Sequence, residues 1–452
     1  MAIDTQGLQA IVLGNIAGCP LVRHLIFDAP SEQAVRGFAA GLAPMIRFGA
    51  NSLADGKTWL VNLSFAAPAL RLVLPPEVYG KLETTYRAPP DGPALGDFGP
   101  SAPVAWWEGR FAGDRIGAMV HIHASTPAAL AAGTEQVLAA AAAAGVTELI
   151  PRQSGERLDG AYLGPGPAGK GARLHFGFAD GLSNSKIAWD GAPGVERPID
   201  PRAVVIGYNC DQFPCGPATE PAAALFRDSS YLAFRWIYQD VAAFETYLSE
   251  QGPAAYPALP AEAARERMAA RMMGRWRDGT PVILSPDAPD PAQADADFSF
   301  AGDPQGIGCP VSAHIRVMNP RGQPLSGMAA ATGIPQVVRR GMPYGPEITG
   351  GEDDGVDRGI YGMFVCASIR QQFVRLAAWA TRNDFSDVFP ASGKDQDALI
   401  GNRATPGATR SFAIPGSAAP GRVGAVPDFL RTKGTQYLML MSRRTMVEVF
   451  GL

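Results

Sequence analysis

"GAMVHIHASTPAALAAGTEQVLAAAAAAG", residues 117–145, contains a strand, a helix and the boundary between them. Val120 and Ile122 alternate with His121 and His123, the period of two that marks an extended strand, here with one drier face. Thr126 then has the side chain of an N-cap, and Pro127 stands at the first helical position, where a missing N–H costs nothing. The alanine-rich run continues to Gly145, which suits a helix stop. The same signs recur upstream. "TWLVNLSF" (58–65) is apolar and branched enough for a strand, and "SEQAVRGFAAGL" from Ser31 puts Val35, Phe38 and Leu42 on one helical face.

The second half of the chain repeats this rhythm. "YLAFRWIYQ" (231–239) alternates and is aromatic-rich, as strands are, and "DVAAFETYLSEQG" reads as a helix ending before Gly252. "GIYGMFVCA" (359–367) predicts a strand, "SIRQQFVRLAAWATR" from Ser368 a helix, and "TQYLMLM" (435–441) a last strand. The Pro/Gly-rich "DGAPGVERPIDPR" (190–202) connects the halves. Two such series predict an α+β protein of two units, each an antiparallel sheet with helices on one side. No Gly-rich phosphate loop stands in a strand–loop–helix setting, so nucleotide binding has no support.

Composition narrows the function. Of 452 residues, 46% are hydrophobic and 18% charged, enough to build a core. With 39 basic and 43 acidic residues the net charge is −4, which points to neither nucleic acid nor an anionic membrane as partner. Cys19, Cys210, Cys215, Cys309 and Cys366 lack metal-site spacing and read as reduced thiols of a cytoplasmic protein. The N-terminal residues carry no basic segment followed by a continuous apolar stretch, hence no expected export signal, and no apolar run has membrane-spanning length.

Few residues can carry chemistry. His24, in "VRHLIF", reads as structural; His121 and His123 share a strand face but have no apparent third metal ligand. His314 differs. It lies in "CPVSAHIRVMNPRG" between Arg316 and Arg321, a setting in which an imidazole can ligate haem iron while guanidinium groups pair with propionates. "HFGFADGLSN" (175–184) places one acid, Asp180, among small and aromatic residues. A surface turn alone would explain Asp-Gly. "VVRRGMPYGPE" (337–347) offers two adjacent arginines before a turn.

Together these segments resemble the dye-decolourising peroxidase family of haem proteins. The family's Gly-x-x-Asp-Gly motif is matched by Gly177-Phe178-Ala179-Asp180-Gly181, its haem-ligand segment by "CPVSAHIRVMNPR" with His314, and its distal-arginine segment by "RRGMPYG" with Arg339. Weaker similarities in "RAPPDGPALGDFG", "VVIGYN", "SYLAFRWIYQDVAAF" and "RGIYGMFVCASIRQQFVRLAAWA" follow the family's order. Val317 departs from it, standing where many members have another basic residue.

The resemblance implies two ferredoxin-like modules, 1–195 carrying the Gly-x-x-Asp-Gly motif and 196–452 holding most of the haem. It implies heme b (iron protoporphyrin IX) as cofactor, with hydrogen peroxide and an organic electron donor, a dye or phenol, as partners. Length and N-terminal sequence look like the longer cytoplasmic members, and a homo-oligomer is compatible with the sequence. His314 would bind iron, Asp180 would act as general acid and base, and Arg339 would stabilise charge as the peroxide bond breaks. Gly177 and Gly181 would bring the backbone close to the haem, Arg321 would meet a propionate, and His175 would line the haem edge. A carboxylate should orient His314, with Asp384 and Asp387 as candidates. Bulky dyes would need surface Tyr or Trp relays, for which Trp236, Tyr344 and Tyr361 are candidates. The competing function is haem or iron handling without peroxidase turnover, which needs His314 but not the acid–arginine pair.

Overall fold

The computed structural model describes the chain except residues 1, 55, 110, 112–113, 153, 183–185, 190–198, 211–223, 324–334, 350–351, 384, 386–394 and 415–420. Its first half runs β1 (Leu21–Phe27), α1 (Glu32–Leu42), β2 (Trp59–Phe65), β3 (Ala118–Ala124), α2 (Pro127–Ala144) and β4 (Leu158–Ala161). A short hairpin follows, β5 (Ala172–Arg173) with β6 (Ala179–Asp180). The second half runs β7 (Ser230–Gln239), α3 (Val241–Ala255), α4 (Ala261–Met273), α5 (His314–Met318), β8 (Val338–Arg339), β9 (Met342–Tyr344), β10 (Gly359–Cys366) and α6 (Arg375–Ala380). It closes with the hairpin β11 (Phe412–Ala413) and β12 (Arg422–Val423), then β13 (Leu430–Leu440) and a last helix, α7 (Arg443–Phe450).

The two halves share one topology. Across the sheet the strands run β4-β1-β3-β2-β13-β7-β10-β8, with β9 also on β10. Numbering the first half's strands β1, β2, β3, β4 and the second's β7, β8, β10, β13 as one to four, both are ordered four-one-three-two. Both also read strand–helix–strand–strand–helix–strand, the ferredoxin-like α+β pattern expected from the sequence. Every pairing between these strands is antiparallel. The repeats join where Met439 and Leu440 pair with Phe65 and Ser64. At the other end β4 closes on β9: a Cβ at Gly160 would come within 3.0 Å of the Pro343 carbonyl. The module boundary expected at 195/196 lies outside the described residues. No helix among the described residues is long and apolar enough to cross a membrane.

The local signals explain most helix ends. Ser31 and Thr126 accept hydrogen bonds from the Ala34 and Ala129 amides, both at 3.2 Å, and Gly145 adopts φ 71°. The helix expected to stop before Gly252 instead continues to Ala255. This glycine serves packing: a Cβ there would lie 2.9 Å from the Arg265 backbone on α4, so its absence lets the two helices touch. The strand at 118–124 also differs from expectation, because both its faces are buried.

That burial fixes the histidines of the interior. Ser64 Oγ donates to the Met119 carbonyl at 3.1 Å and accepts from His121 Nε2 at 3.0 Å. His121 Nδ1 is therefore left to accept from His24 Nδ1, at 2.9 Å. All three imidazoles are held neutral. Burial lowers His121 to about 3 and His123 to about 4, and burial with the neighbouring imidazoles holds His24 well below 6.5. With folded values below the unfolded one, the unfolded chain binds more protons as pH falls below 6.5. Stability from these neutral groups is complete above that pH and drains below it, by about 1.4 kcal/mol per pH unit per imidazole. Urea unfolding of His123→Gln between pH 6 and 4.5 should show a slope against pH lower by about one proton than wild type. Parallel slopes would rule out this origin of acid sensitivity.

Candidate active site

A cavity of 810 Å³ opens between the second repeat's sheet and its helices. Strand alternation supplies one wall: Arg235, Ile237 and Gln239 of β7 face it, whereas Phe234 and Trp236 pack on the opposite face against His24 and Tyr361. Met273 of α4 and Leu376 and Ala377 of α6 supply the facing wall. His314, Asp180, Gly181, Arg321 and Arg339 all reach the same cavity.

His314 opens α5, and its Nδ1 lies 2.8 Å from Asp397 Oδ2. Asp397 is fully buried, and its Oδ1 accepts from the Leu399 and Ile400 amides, each at 2.9 Å. A carboxylate held in this way accepts, so Nδ1 carries the proton and Nε2 keeps its lone pair for the cavity. The donor set therefore suits haem iron. Asp397 escaped the sequence reading: it lies 83 residues from His314 in "KDQDALIG". Its cue was a carboxylate directly before the apolar Ala398-Leu399-Ile400. Asp384 and Asp387 lie outside the described residues.

Asp180 ends the β5–β6 hairpin, followed by Gly181 at φ 86°. Gly177, at φ 79°, closes a turn through its amide to the Leu174 carbonyl at 2.8 Å. The Asp180 carboxylate stands 3.6 Å from the Arg339 guanidinium. Of the adjacent arginines, Arg339 lies on β8 opposite Phe364, while Arg340 Nε donates to the Ile11 carbonyl at 3.0 Å. Burial pushes the Arg340 pKa down to about 10. Arg321 lies 3.5 Å from Asp297, with its guanidinium 4.4 Å above the Phe298 ring.

Three expectations need comment. His175 does not line the cavity; it is buried, with Nε2 2.8 Å from the Tyr344 carbonyl, and the neighbouring Phe176 and Phe178 line the cavity instead. Val317 is buried beside Val311 and Phe385, so the family's basic residue is replaced by core packing. Trp236, Tyr344 and Tyr361 are in mutual contact, Tyr344 and Tyr361 stacking at 4.6 Å, but all three are buried rather than at the surface.

No family model matches the chain. A dye-decolourising peroxidase of Mycena epipterygia is 30% identical over 316 residues, and one of Auricularia auricula-judae 32% identical over 291. These alignments cover 64% and 60% of this chain; the chain spans 56% and 55% of those relatives' lengths. In three dimensions, the crystal structure of a dye-decolourising peroxidase matches with TM-score 0.81 at 25% identity, over 100% of this chain and 99% of that one. In sequence and in fold the chain is similar to dye-decolourising peroxidases. Another solved dye-decolourising peroxidase, in complex with 2,6-dimethoxyphenol, shares the fold at TM-score 0.80 and 23% identity, over the whole of both chains.

The paired Asp397 sets the imidazole tautomer of His314, which gives a direct test. Asp397→Asn should turn an amide N–H toward Nδ1 and favour the Nε2–H form of His314. Nitrogen NMR of the imidazole should report that switch in protein free of haem. An unchanged Nδ1–H signal in the variant would show that Asp397 does not set it.

Proposed function

We propose that the protein is a haem peroxidase that uses hydrogen peroxide to oxidise dyes, phenols and similar organic donors. The supporting observation is the Asp180–Arg339 pair, 3.6 Å apart, in the cavity that His314 also lines. A haem carrier needs a ligand such as His314 but no acid beside a cation. Haem b would be held through His314 Nε2, with Arg321 as the cation for a propionate. When bound it supplies an iron that exchanges electrons with peroxide and with the donor.

The chain's own residues handle protons and charge. Asp180 takes the proton from the inner oxygen of hydrogen peroxide and returns it to the outer one, which leaves as water. Arg339 stabilises the negative charge that grows on the departing oxygen. Gly181, without a side chain, leaves room beside the carboxylate. Two donor molecules, each giving one electron, together with two protons from the donors or solvent, balance one peroxide reduced to two waters. The modules 1–195 and 196–452 and a cytoplasmic setting belong to the same proposal. The buried thiols of Cys19, Cys309 and Cys366, which form no disulfide among the described residues, fit a reducing compartment.

Stopped-flow mixing of haem-loaded protein with peroxide tests this reading. Asp180→Asn keeps the shape but loses the shuttle, and should slow the reaction by about 10²–10⁴. A variant as fast as wild type would remove Asp180 from the mechanism. His314→Ala should lose most of its haem on purification; full occupancy with an unchanged Soret band would exclude His314 as ligand.

A further inference from the structure

Asp180 is weakly held by its own side chain. Among the described residues its carboxylate meets only Arg339, at 3.6 Å, and it remains 39% exposed. Its position is therefore set by the backbone around it, and one side chain grips that backbone. Arg277 lies just beyond α4, in a turn that crosses the Gly-x-x-Asp-Gly segment. Its Nη1 donates to the Phe176 carbonyl, its own carbonyl accepts from the Ala179 amide at 2.8 Å, and its guanidinium lies 5.3 Å above the Phe178 ring. A Cβ on Gly177 would collide with Nη1, so the motif's first glycine leaves the space that the guanidinium fills.

The other side of the guanidinium is anchored. Nε meets Glu266 of α4 at 3.1 and 3.0 Å, and Nη2 meets Glu245 of α3 at 2.9 Å. The Arg277 side chain is 17% exposed, and a planar fork with carboxylates on two edges has little freedom. The motif is thus tied to both long helices of the second repeat, and Met273 of α4 lines the same cavity.

We propose that Arg277 is a positioning residue for the peroxide reaction: it fixes residues 176–179, and through them sets where the Asp180 carboxylate stands. The inference rests on the proposed peroxidase function. A misplacement of about 1 Å at a reacting group costs on the order of 10² in rate, so loss of this clamp is read in catalysis more than in folding.

The test uses Arg277→Gln and Arg277→Lys, each alone and on an Asp180→Asn background. Arg277→Gln should keep its haem, react with peroxide about 10–10²-fold more slowly, and leave kcat/KM for the donor at saturating peroxide unchanged. Arg277→Lys, which retains the charge but only part of the fork, should recover part of the loss. Combined with Asp180→Asn, Arg277→Gln should add no further slowing, because Arg277 acts through Asp180. Hydrogen exchange of the Gly177 and Ala179 amides should quicken in Arg277→Gln, and this can be read without haem turnover. An equal further slowing on the Asp180→Asn background overturns the inference, as does unchanged exchange in both single variants. A wild-type protein that holds haem but leaves peroxide untouched would instead overturn the functional reading, while the exchange measurement would still decide whether Arg277 holds the motif.

Discussion

A fully buried carboxylate stands behind His314, and the site is organised around satisfying it. Leaving such a charge without its partner costs about 3–5 kcal/mol. Asp397 meets the demand with the imidazole on one oxygen and the Leu399 and Ile400 amides on the other. Arg403 grips the Asp397 and Ala398 carbonyls, and the Ala398 amide donates to the Ser312 carbonyl at 2.8 Å. The segment bearing His314 and the segment bearing Asp397 are thereby fastened to each other, although neither is long regular structure. The imidazole's orientation follows from this network before any ligand arrives.

The second repeat's sheet separates two chemistries by the period of its strands. One face carries Arg235, Ile237 and Gln239 to the cavity; the other carries Phe234, Trp236 and Tyr361 into the space between the repeats. That inner face is aromatic but not purely apolar. Arg152 and Lys433 lie over the Trp236 ring at 5.0 and 4.3 Å, and both pair with Asp357, which also accepts from the Tyr344 hydroxyl. A cation on an aromatic face retains favourable electrostatics where water is scarce.

Local chemistry made much of this fold legible. Ser31, Thr126 and Gly145 announce helix ends because caps act on neighbouring backbone atoms, and strand alternation located β7 and β10. Asp180, His314 and Arg339 were legible because short motifs carry them, and they do meet in one cavity. Signals failed where a residue's role depends on something distant in sequence. Gly252 looks like a stop but gives way to Arg265 on the next helix; Asp397 is an ordinary acid until the fold brings His314 to it; His175 sits in the motif's neighbourhood, yet its ring turns to the Tyr344 carbonyl. The buried faces of 118–124 were missed because alternation cannot reveal that Phe234 of the other repeat packs against His121 on the polar side.

The position of β13 bears on how the molecule comes into being. It is the last strand in sequence, yet it lies between β2 and β7 and so supplies the seam between the repeats. The first repeat can pair its own four strands as soon as β4 has emerged during synthesis. The second lacks an inner strand until residues 430–440 are made, and Leu430 and Thr432 of that strand line the cavity. A nascent chain therefore has no finished chamber to offer a prosthetic group. Assembly of the site waits for residues 430–440 to be made, and a ribosome stalled before this strand leaves an open sheet edge exposed to other chains.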